Sequence, residues 1–509
     1  MNESYLVRGR WLVTAADEPV LNDAALLIEA GRVAAAGDWQ DLRDSHPDHA
    51  IVGGKQFAIL PGLVNAHHHS HSISGIQHGI GDDLLEPWIL AGQIKRPLDR
   101  YLNTLVSLGV QLGGGVTSLV DMMSCGGDAT TYADTLREAL RACDTAGIRV
   151  ALAPGASTHS HLVSGRGEDA RFLASLPKDV RHHAQLLLPS ESLLDEEDYF
   201  ALMEDFQRDF AEHSRIDLWY GPPGPQWVDE QCLQRCDNAA KRWDCGIQTH
   251  INESFYEKLL GPRAYGKPTM QYLHELGVLS PRLSIAHGTW LSLDEIELIA
   301  QTGVAVSHNP SSNLRLRAGI APFTEMLRHG ITVGIGMDGT TLNENEDMFT
   351  ELRLALRLQC DPRIENEVPG IADVLSAATL GGARLLSKQH EIGRLQPGYA
   401  ADLVILDCER LYWPWSAPEA DPLELILLRA ERRDIREVII GGDTVWRDGA
   451  PTLFNLNAAA TELAARVAAE PFARERAAAV QTVLPHLRAW YADWDRPDLH
   501  PWRIQSSKT

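Results

Sequence analysis

The stretch LPGLVNAHHHSHS, residues 60–72, places four histidines in five positions directly after an apolar segment. Side chains alternate between the two faces of a strand, so His67, His69 and His71 share one face while His68 takes the other. Two imidazoles on one face at a strand's end can begin a metal site. Four solvated loop histidines explain the stretch equally well, and the rest of the chain must decide.

Working outward, the middle of the chain alternates short apolar runs with amphipathic segments. The runs are AILPGLVNA, VTSLVDM, IRVALAPG, IDLWYGPP, GIQTHI, LSIAHG, VAVSHN and ITVGIGMD. Between them, TTYADTLREALRACDTAG, DEQCLQRCDNAAKRWDCG and LDEIELIAQTG carry apolar residues at helical spacing and end in Gly. Eight strands alternating with helices indicate an α/β chain built on a closed parallel (β/α)8 barrel, over residues 60–387. An open doubly wound sheet is disfavoured because no Gly-rich phosphate fingerprint follows the first strand. Strand-like pieces before and after the barrel, residues 1–59 and 388–450, are expected to assemble one small β-sandwich domain from both ends of the chain. The segment 157–215 exceeds one crossover helix and is read as an insertion over the barrel mouth. The tail, 451–509, reads as helical and is assigned to packing or to contacts within a homo-oligomer.

Composition narrows the function. A formal net charge of −23 argues against nucleic acid and anionic membrane as partners and for an uncharged or cationic ligand; a small-molecule substrate is expected. No run reaches the length of a membrane span, and the opening MNESYLVRGRWLV lacks the pattern of a signal peptide. Seven scattered cysteines (Cys125, Cys143, Cys232, Cys236, Cys245, Cys360 and Cys408) do not make a disulfide framework, and a reducing cytoplasm is expected.

Barrel enzymes place their chemistry at the C-terminal ends of the strands. There, strand one ends in His67 and His69, strand five in His250, strand six in His287 and strand eight in Asp338. Five ligand-type residues at four strand ends favour a metal site over solvated loop histidines. His71 lies beyond the strand and is the weaker candidate.

Five segments carry a resemblance: LPGLVNAHHH, with Asn65, His67 and His69; THINES, with His250 and Glu253; IAHGTWL, with His287; the run from SHNPSSN to GIGMDG, ending in Asp338; and IGRLQPGYAADLVILD. In these the chain resembles the metal-dependent amidohydrolases over nearly all its length. The matching branch holds adenosine-type, guanine and cytosine aminohydrolases and the s-triazine hydrolases. The resemblance implies one divalent metal, zinc by default and iron as the alternative, held by His67, His69, His250 and Asp338. It implies that metal-activated water attacks a ring carbon bearing an amino, substituted-amine or chloro group. Asp338 would take the proton of that water, Glu253 would shuttle a proton, and His287 would hydrogen-bond the attacking oxygen or the substrate.

Trp88, Glu86, Trp290, His308 and Asn309 are candidate pocket residues; Trp88 and Trp290 for stacking on a planar heterocycle, and Glu86 where some relatives hold a ribose. His308 is expected to be a hydrogen-bonding wall residue. Arg315 or Arg317 would offer a site for one anionic group, and the pair His159 and His161 is expected to stand apart from the metal. Two departures from the family pattern, Met337 before the aspartate and TTLNENEDMF after it, are expected to line the mouth and bear on substrate identity. The leading expectation is deamination or dealkylamination of a nitrogen heterocycle. The alternatives are hydrolysis of urea, carbamate or amide bonds in an aryl compound, and metal-dependent ligand binding without catalysis.

Overall fold

The structure is a computed structural model that describes residues 4–124, 126–159, 161–189, 194–500 and 502. Cys125 lies outside the described residues; the other six cysteines are free thiols.

Four strands precede the first histidine run: β1 (Tyr5–Leu12), β2 (Leu21–Glu29), β3 (Arg32–Asp38) and β4 (Ala50–Pro61). Eight follow in the middle of the chain: β5 (Leu63–His68), β6 (Val116–Ser124), β7 (Arg149–Gly155), β8 (Ile216–Leu218), β9 (Ile247–Ile251), β10 (Leu283–His287), β11 (Ala305–His308) and β12 (Val333–Ile335). The last four are β13 (Leu403–Asp407), β14 (Ile435–Ile440), β15 (Asp443–Arg447) and β16 (Ala450–Pro451).

All eight apolar runs of the middle region form parallel strands, in two sheets ordered β5-β6-β7-β8 and β9-β10-β11-β12. Parallel bridges join the sheets at both seams, His68 with Asp338 and Tyr220 with Ile247. The three amphipathic segments are helices Ala129–Ala146, Glu230–Trp243 and Leu293–Thr302. Each starts where a side chain replaces a missing backbone partner: Asp128 accepts from Thr131 N, Asp229 from Cys232 N, and Ser292 forms a capping box with Glu295. Their apolar stripes meet the outward faces of the strands, burying Leu136 and Ile299 against Leu119, Leu152, Ile285 and Val306. Each such side chain contributes roughly 1.5–3 kcal/mol over leaving it exposed.

The terminal pieces hydrogen-bond as one sheet, ordered β16-β15-β14-β13-β4-β1-β2-β3. It curls, because the β2–β3 turn at Gly31 meets the β14–β15 turn: a Cβ on Gly31 would stand 2.4 Å from the Gly441 carbonyl oxygen. Val7, Leu26 and Ile28 then share one buried cluster with Leu403, Ile405 and Ile439. The first apolar run is divided between the two parts of the molecule. β4 extends to Pro61 and pairs with β13 (Leu60 with Val404), and only after Gly62 does β5 begin. Gly62 is the joint because it lies on Thr117, whose Oγ1 would be 2.1 Å from any Cβ there.

The long segment before β8 holds helices Glu168–Ser175, Lys178–Leu186 and Glu196–Phe210. The tail forms helices Leu456–Ala469 and Arg474–Ala492. Among the described residues, no helix is long and apolar enough to cross a membrane.

Candidate active site

His67 and His69 point to one side of β5 and His68 to the other. The His68 ring bonds Ser107 Oγ at 2.8 Å and the Asp338 carbonyl at 2.6 Å, which ties β5 to the segment after β12. Asn65 adds a second tie, its Oδ1 accepting from Met337 N at 2.9 Å. The backbone N–H of Asp338 donates to the His67 carbonyl at 2.9 Å. His287 and Asp338 take positive φ values of 75° and 60°, strained for residues with a Cβ and held by this local network.

The protons of three imidazoles are fixed by their partners. His69 Nδ1 faces the Met122 carbonyl at 2.8 Å and His250 Nδ1 the Pro223 carbonyl at 2.7 Å. A carbonyl only accepts, so both Nδ1 atoms carry the proton and both Nε2 atoms a lone pair. His67 Nδ1 faces Gln248 Oε1 at 2.8 Å; that amide's nitrogen donates to Ala66 O and Ser284 Oγ, so its oxygen accepts from His67. The lone pairs converge. His69 Nε2 and His250 Nε2 are 3.3 Å apart, and Asp338 Oδ1 lies 3.2 Å from His69 Nε2 and 3.6 Å from His67 Nε2. Burial lowers the pKa of His67 well below the usual imidazole value and that of His250 to about 3, which keeps both rings neutral. Burial would raise the Asp338 carboxyl, and the Ser312 hydroxyl, which donates to its Oδ2 at 2.5 Å, favours the ionised form. Three lone pairs and a carboxylate oxygen aimed at one point repel one another unless a cation lies between them. The overlapping triads of His67, His69 and Asp338, of His67, His250 and His287, and of Glu253, His287 and Asp338 therefore fit a divalent metal.

His287 stands beside this cluster. Its Nδ1 meets Asn313 Oδ1 at 2.9 Å, and its Nε2 lies 3.4 Å from Glu253 Oε2 and 3.8 Å from Asp338 Oδ2. Glu253 is buried. Desolvation, then Glu257, Asp338 and Glu86, push its carboxyl well above the usual range, toward the protonated form. Glu257 is also buried and is raised to about 8. Glu86 bonds the Ser254 hydroxyl through Oε1, while its buried Oε2 has no partner among the described residues.

Other expectations fare differently. His71 stacks on His69 with ring centres 5.8 Å apart. Trp88 carries the Lys95 ammonium 4.8 Å over its ring. The Trp290 indole donates to Ala318 O at 2.6 Å and meets Phe255 edge-on. Asn309 is buried, with Oδ1 accepting from Ser307 at 2.8 Å. His308 is not a hydrogen-bonding wall residue among the described residues: it stacks on Phe323 and neither ring nitrogen has a partner there, because alternation along β11 turns Ser307 inward and His308 toward the helix layer. Met337 does not line the mouth either, since its side chain belongs to the buried apolar core. Arg315 is not free for an anion, being committed to Asp82 at 2.7 Å and Glu344 at 2.9 Å; Arg317 lies 3.7 Å from Asp83. His159 bonds Thr158, and neither it nor His161 belongs to the ligand cluster among the described residues. Gln248 and Glu257 are additions that the sequence reading missed. Each has a positional signal: Gln248 lies two residues before His250 on the same strand face, and Glu257 one helical turn after Glu253.

Residues 58–445 match the amidohydrolase family, and the chain belongs to that family. Residues 24–48 also match an imidazolonepropionase-like composite domain of bacteria. The chain is 31% identical over 456 residues, 89% of its length and 94% of the relative's, to a 5-methylthioadenosine/S-adenosylhomocysteine deaminase of Nitratidesulfovibrio vulgaris. It is 30% identical over 461 residues, 88% of its length and 94% of the relative's, to a 5'-deoxyadenosine deaminase of Methanothermobacter thermautotrophicus. Its fold matches the crystal structure of an adenosine deaminase from Xanthomonas campestris with bound zinc at a TM-score of 0.76, 24% identity, 91% of this chain and 98% of that one. It also matches an atrazine chlorohydrolase from Arthrobacter aurescens complexed with zinc at a TM-score of 0.74, 21% identity, 91% of this chain and all of that one.

Proposed function

We propose that this member of the amidohydrolase family is an aminohydrolase that removes an exocyclic amino or alkylamino group from a nitrogen heterocycle. The observation that carries the reading is the buried Glu253 carboxyl, 3.4 Å from His287 Nε2 and beside the clustered histidines and Asp338. We assign His67, His69, His250 and Asp338 as the ligands of one divalent metal, with zinc the first choice. When bound, the metal supplies a Lewis acid that brings the pKa of water toward neutrality.

The chain's own groups then divide the work. Asp338 takes the proton of the attacking water as its oxygen adds to the amino-bearing carbon. Glu253 delivers its proton to a ring nitrogen, so that the developing negative charge is neutralised. His287 orients the attacking oxygen. Asp338 then passes its proton to the leaving nitrogen, the C–N bond breaks and ammonia or an amine departs, while the remaining proton of the added oxygen returns to Glu253. Glu86, with a free buried oxygen, accepts from sugar hydroxyls when the heterocycle is a nucleoside.

We read the eight parallel strands and their two seam bridges as a closed (β/α)8 barrel, and the curled terminal sheet as a β-sandwich. We place the protein in the cytoplasm as a homo-oligomer, the first on its six free thiols and the second on its exposed apolar residues, such as Trp413 and Trp415. The test is a panel of adenosine-type nucleosides, free purines, pyrimidines, s-triazines and aryl ureas, offered to metal-loaded enzyme with products identified by mass. Loss of an exocyclic amine from a heterocycle is expected. Cleavage confined to aryl ureas, carbamates or open-chain amides overturns the assignment.

A further inference from the structure

The C-terminal helix Arg474–Ala492 lies across the loops that carry the catalytic acids. Its side chains Val480, Val483, Leu487 and Tyr491 share one buried cluster with Leu90, Leu259 and Leu260. Leu90 is one turn beyond Glu86 on helix Leu85–Gly92, and Leu259 and Leu260 are on helix Phe255–Leu260, which begins just after Glu253. These two helices meet at the site through one bond, Ser254 to Glu86, and rest on the tail behind it.

Tyr491 is the centre of that support. Its oxygen accepts from Ser164 N at 2.9 Å, its hydroxyl reaches Ser164 Oγ at 3.2 Å, and its ring lies 4.9 Å from Tyr256. Trp494 packs on both tyrosines. Further ties run from Arg488 to Asp83, from Arg476 to Gln93 at 2.9 Å, and from the Trp502 indole to Leu291 O at 3.3 Å. The tail thus reaches the loops following β5, β7, β9 and β10. The metal-ligand cluster needs none of this, because its strand ends are bonded to one another.

We propose that the C-terminal helix belongs to the catalytic apparatus, with Tyr491 as the positioning residue that holds Glu86 and Glu253 at the spacing substrate requires. This rests on the function proposed above. Removing the ring lets the two helices drift, and a misplacement on the order of 1 Å at a catalytic group costs about 10²-fold in rate.

The experiment compares wild type, Tyr491→Ala and Tyr491→Phe, each normalised to bound metal. For Tyr491→Ala, KM should rise about tenfold and kcat/KM should fall about 10²-fold, with metal content unchanged. Tyr491→Phe, which keeps the ring and loses one hydrogen bond, should recover to within about tenfold of wild type. Hydrogen exchange in Tyr491→Ala should quicken at residues 85–92 and 255–260 and stay unchanged in β5 and β9. A purely structural role would lower the folded, metal-bound fraction and leave its KM unchanged, and that result overturns the proposal. Unchanged exchange at both helices overturns it too, and this readout needs no substrate, so it stands apart from failure of the functional assignment. Should Tyr491→Ala not fold, Arg488→Gln cuts the tie to Asp83 without opening a cavity. Its exchange should quicken at 85–92, and unchanged exchange there counts against the proposal.

Discussion

Gln248 Oε1 accepts the Nδ1 proton of His67 at 2.8 Å, and so fixes which nitrogen of that ring faces Asp338. Replacing Gln248 with Leu keeps the bulk and removes the acceptor. Metal affinity should fall by about 10–100-fold, the usual cost of losing such a support. Competition with a chelator of known affinity measures it, and wild-type affinity would show that the ring is oriented by packing alone.

His69→Ala tests the ligand set itself. It removes the nitrogen nearest to both Asp338 and His250. Three protein ligands remain of the proposed four, and elemental analysis after gel filtration should find the site empty and turnover abolished. Full occupancy would take His69 out of the set.

Glu253→Gln keeps the shape of the side chain and removes its titrating proton. Metal content should stay near normal while turnover drops by at least ~10²-fold. Undiminished turnover would assign the proton transfer to another group.

Glu351, buried under Ser311, is raised from 4.5 to about 8 by desolvation. The native state therefore holds a proton that the unfolded chain has released, over the interval between those two values. The contribution of this group to stability must fall as pH rises through that interval. Glu257 and Glu346, raised to about 8 and about 7, act in the same sense. His67 and His250, whose pKa values are lowered from 6.5, act in the opposite sense below that value, so urea unfolding midpoints should decline between pH 6.5 and 8, and Glu351→Gln should make the decline shallower. An identical slope in the variant would mean that Glu351 is already ionised in the native protein.

Much of the site was legible because strand ends announce themselves. His250, His287 and Asp338 each follow an apolar run, and the structure places His287 beside each of the other two. What the sequence concealed has physical causes. The run AILPGLVNA is apolar on both sides of Gly62, so its periodicity does not mark the break where one strand ends and another begins, and only the Pro61-Gly62 pair hints at it. Gln248 and Ser312 are neutral and common, and their roles appear only once their partners are in place. Arg315 reads as a free cation until Asp82 and Glu344 arrive from distant parts of the chain. The tail was legible as helix, but the surface it covers is set by contacts remote in sequence, Tyr491 with Ser164 among them.

The pairing of β4 with β13 has a consequence for synthesis. Leu60 must find Val404, so β4 leaves the ribosome long before its partner exists. At roughly 5–20 residues per second, β13 follows by tens of seconds. Through that interval β4 has β1 for one edge but leaves the other open, with an apolar end, Phe57 to Pro61, the kind of exposed edge that recruits other chains. Slower initiation or a colder culture lowers the number of such half-made molecules present at once, and with it the loss to aggregates during expression.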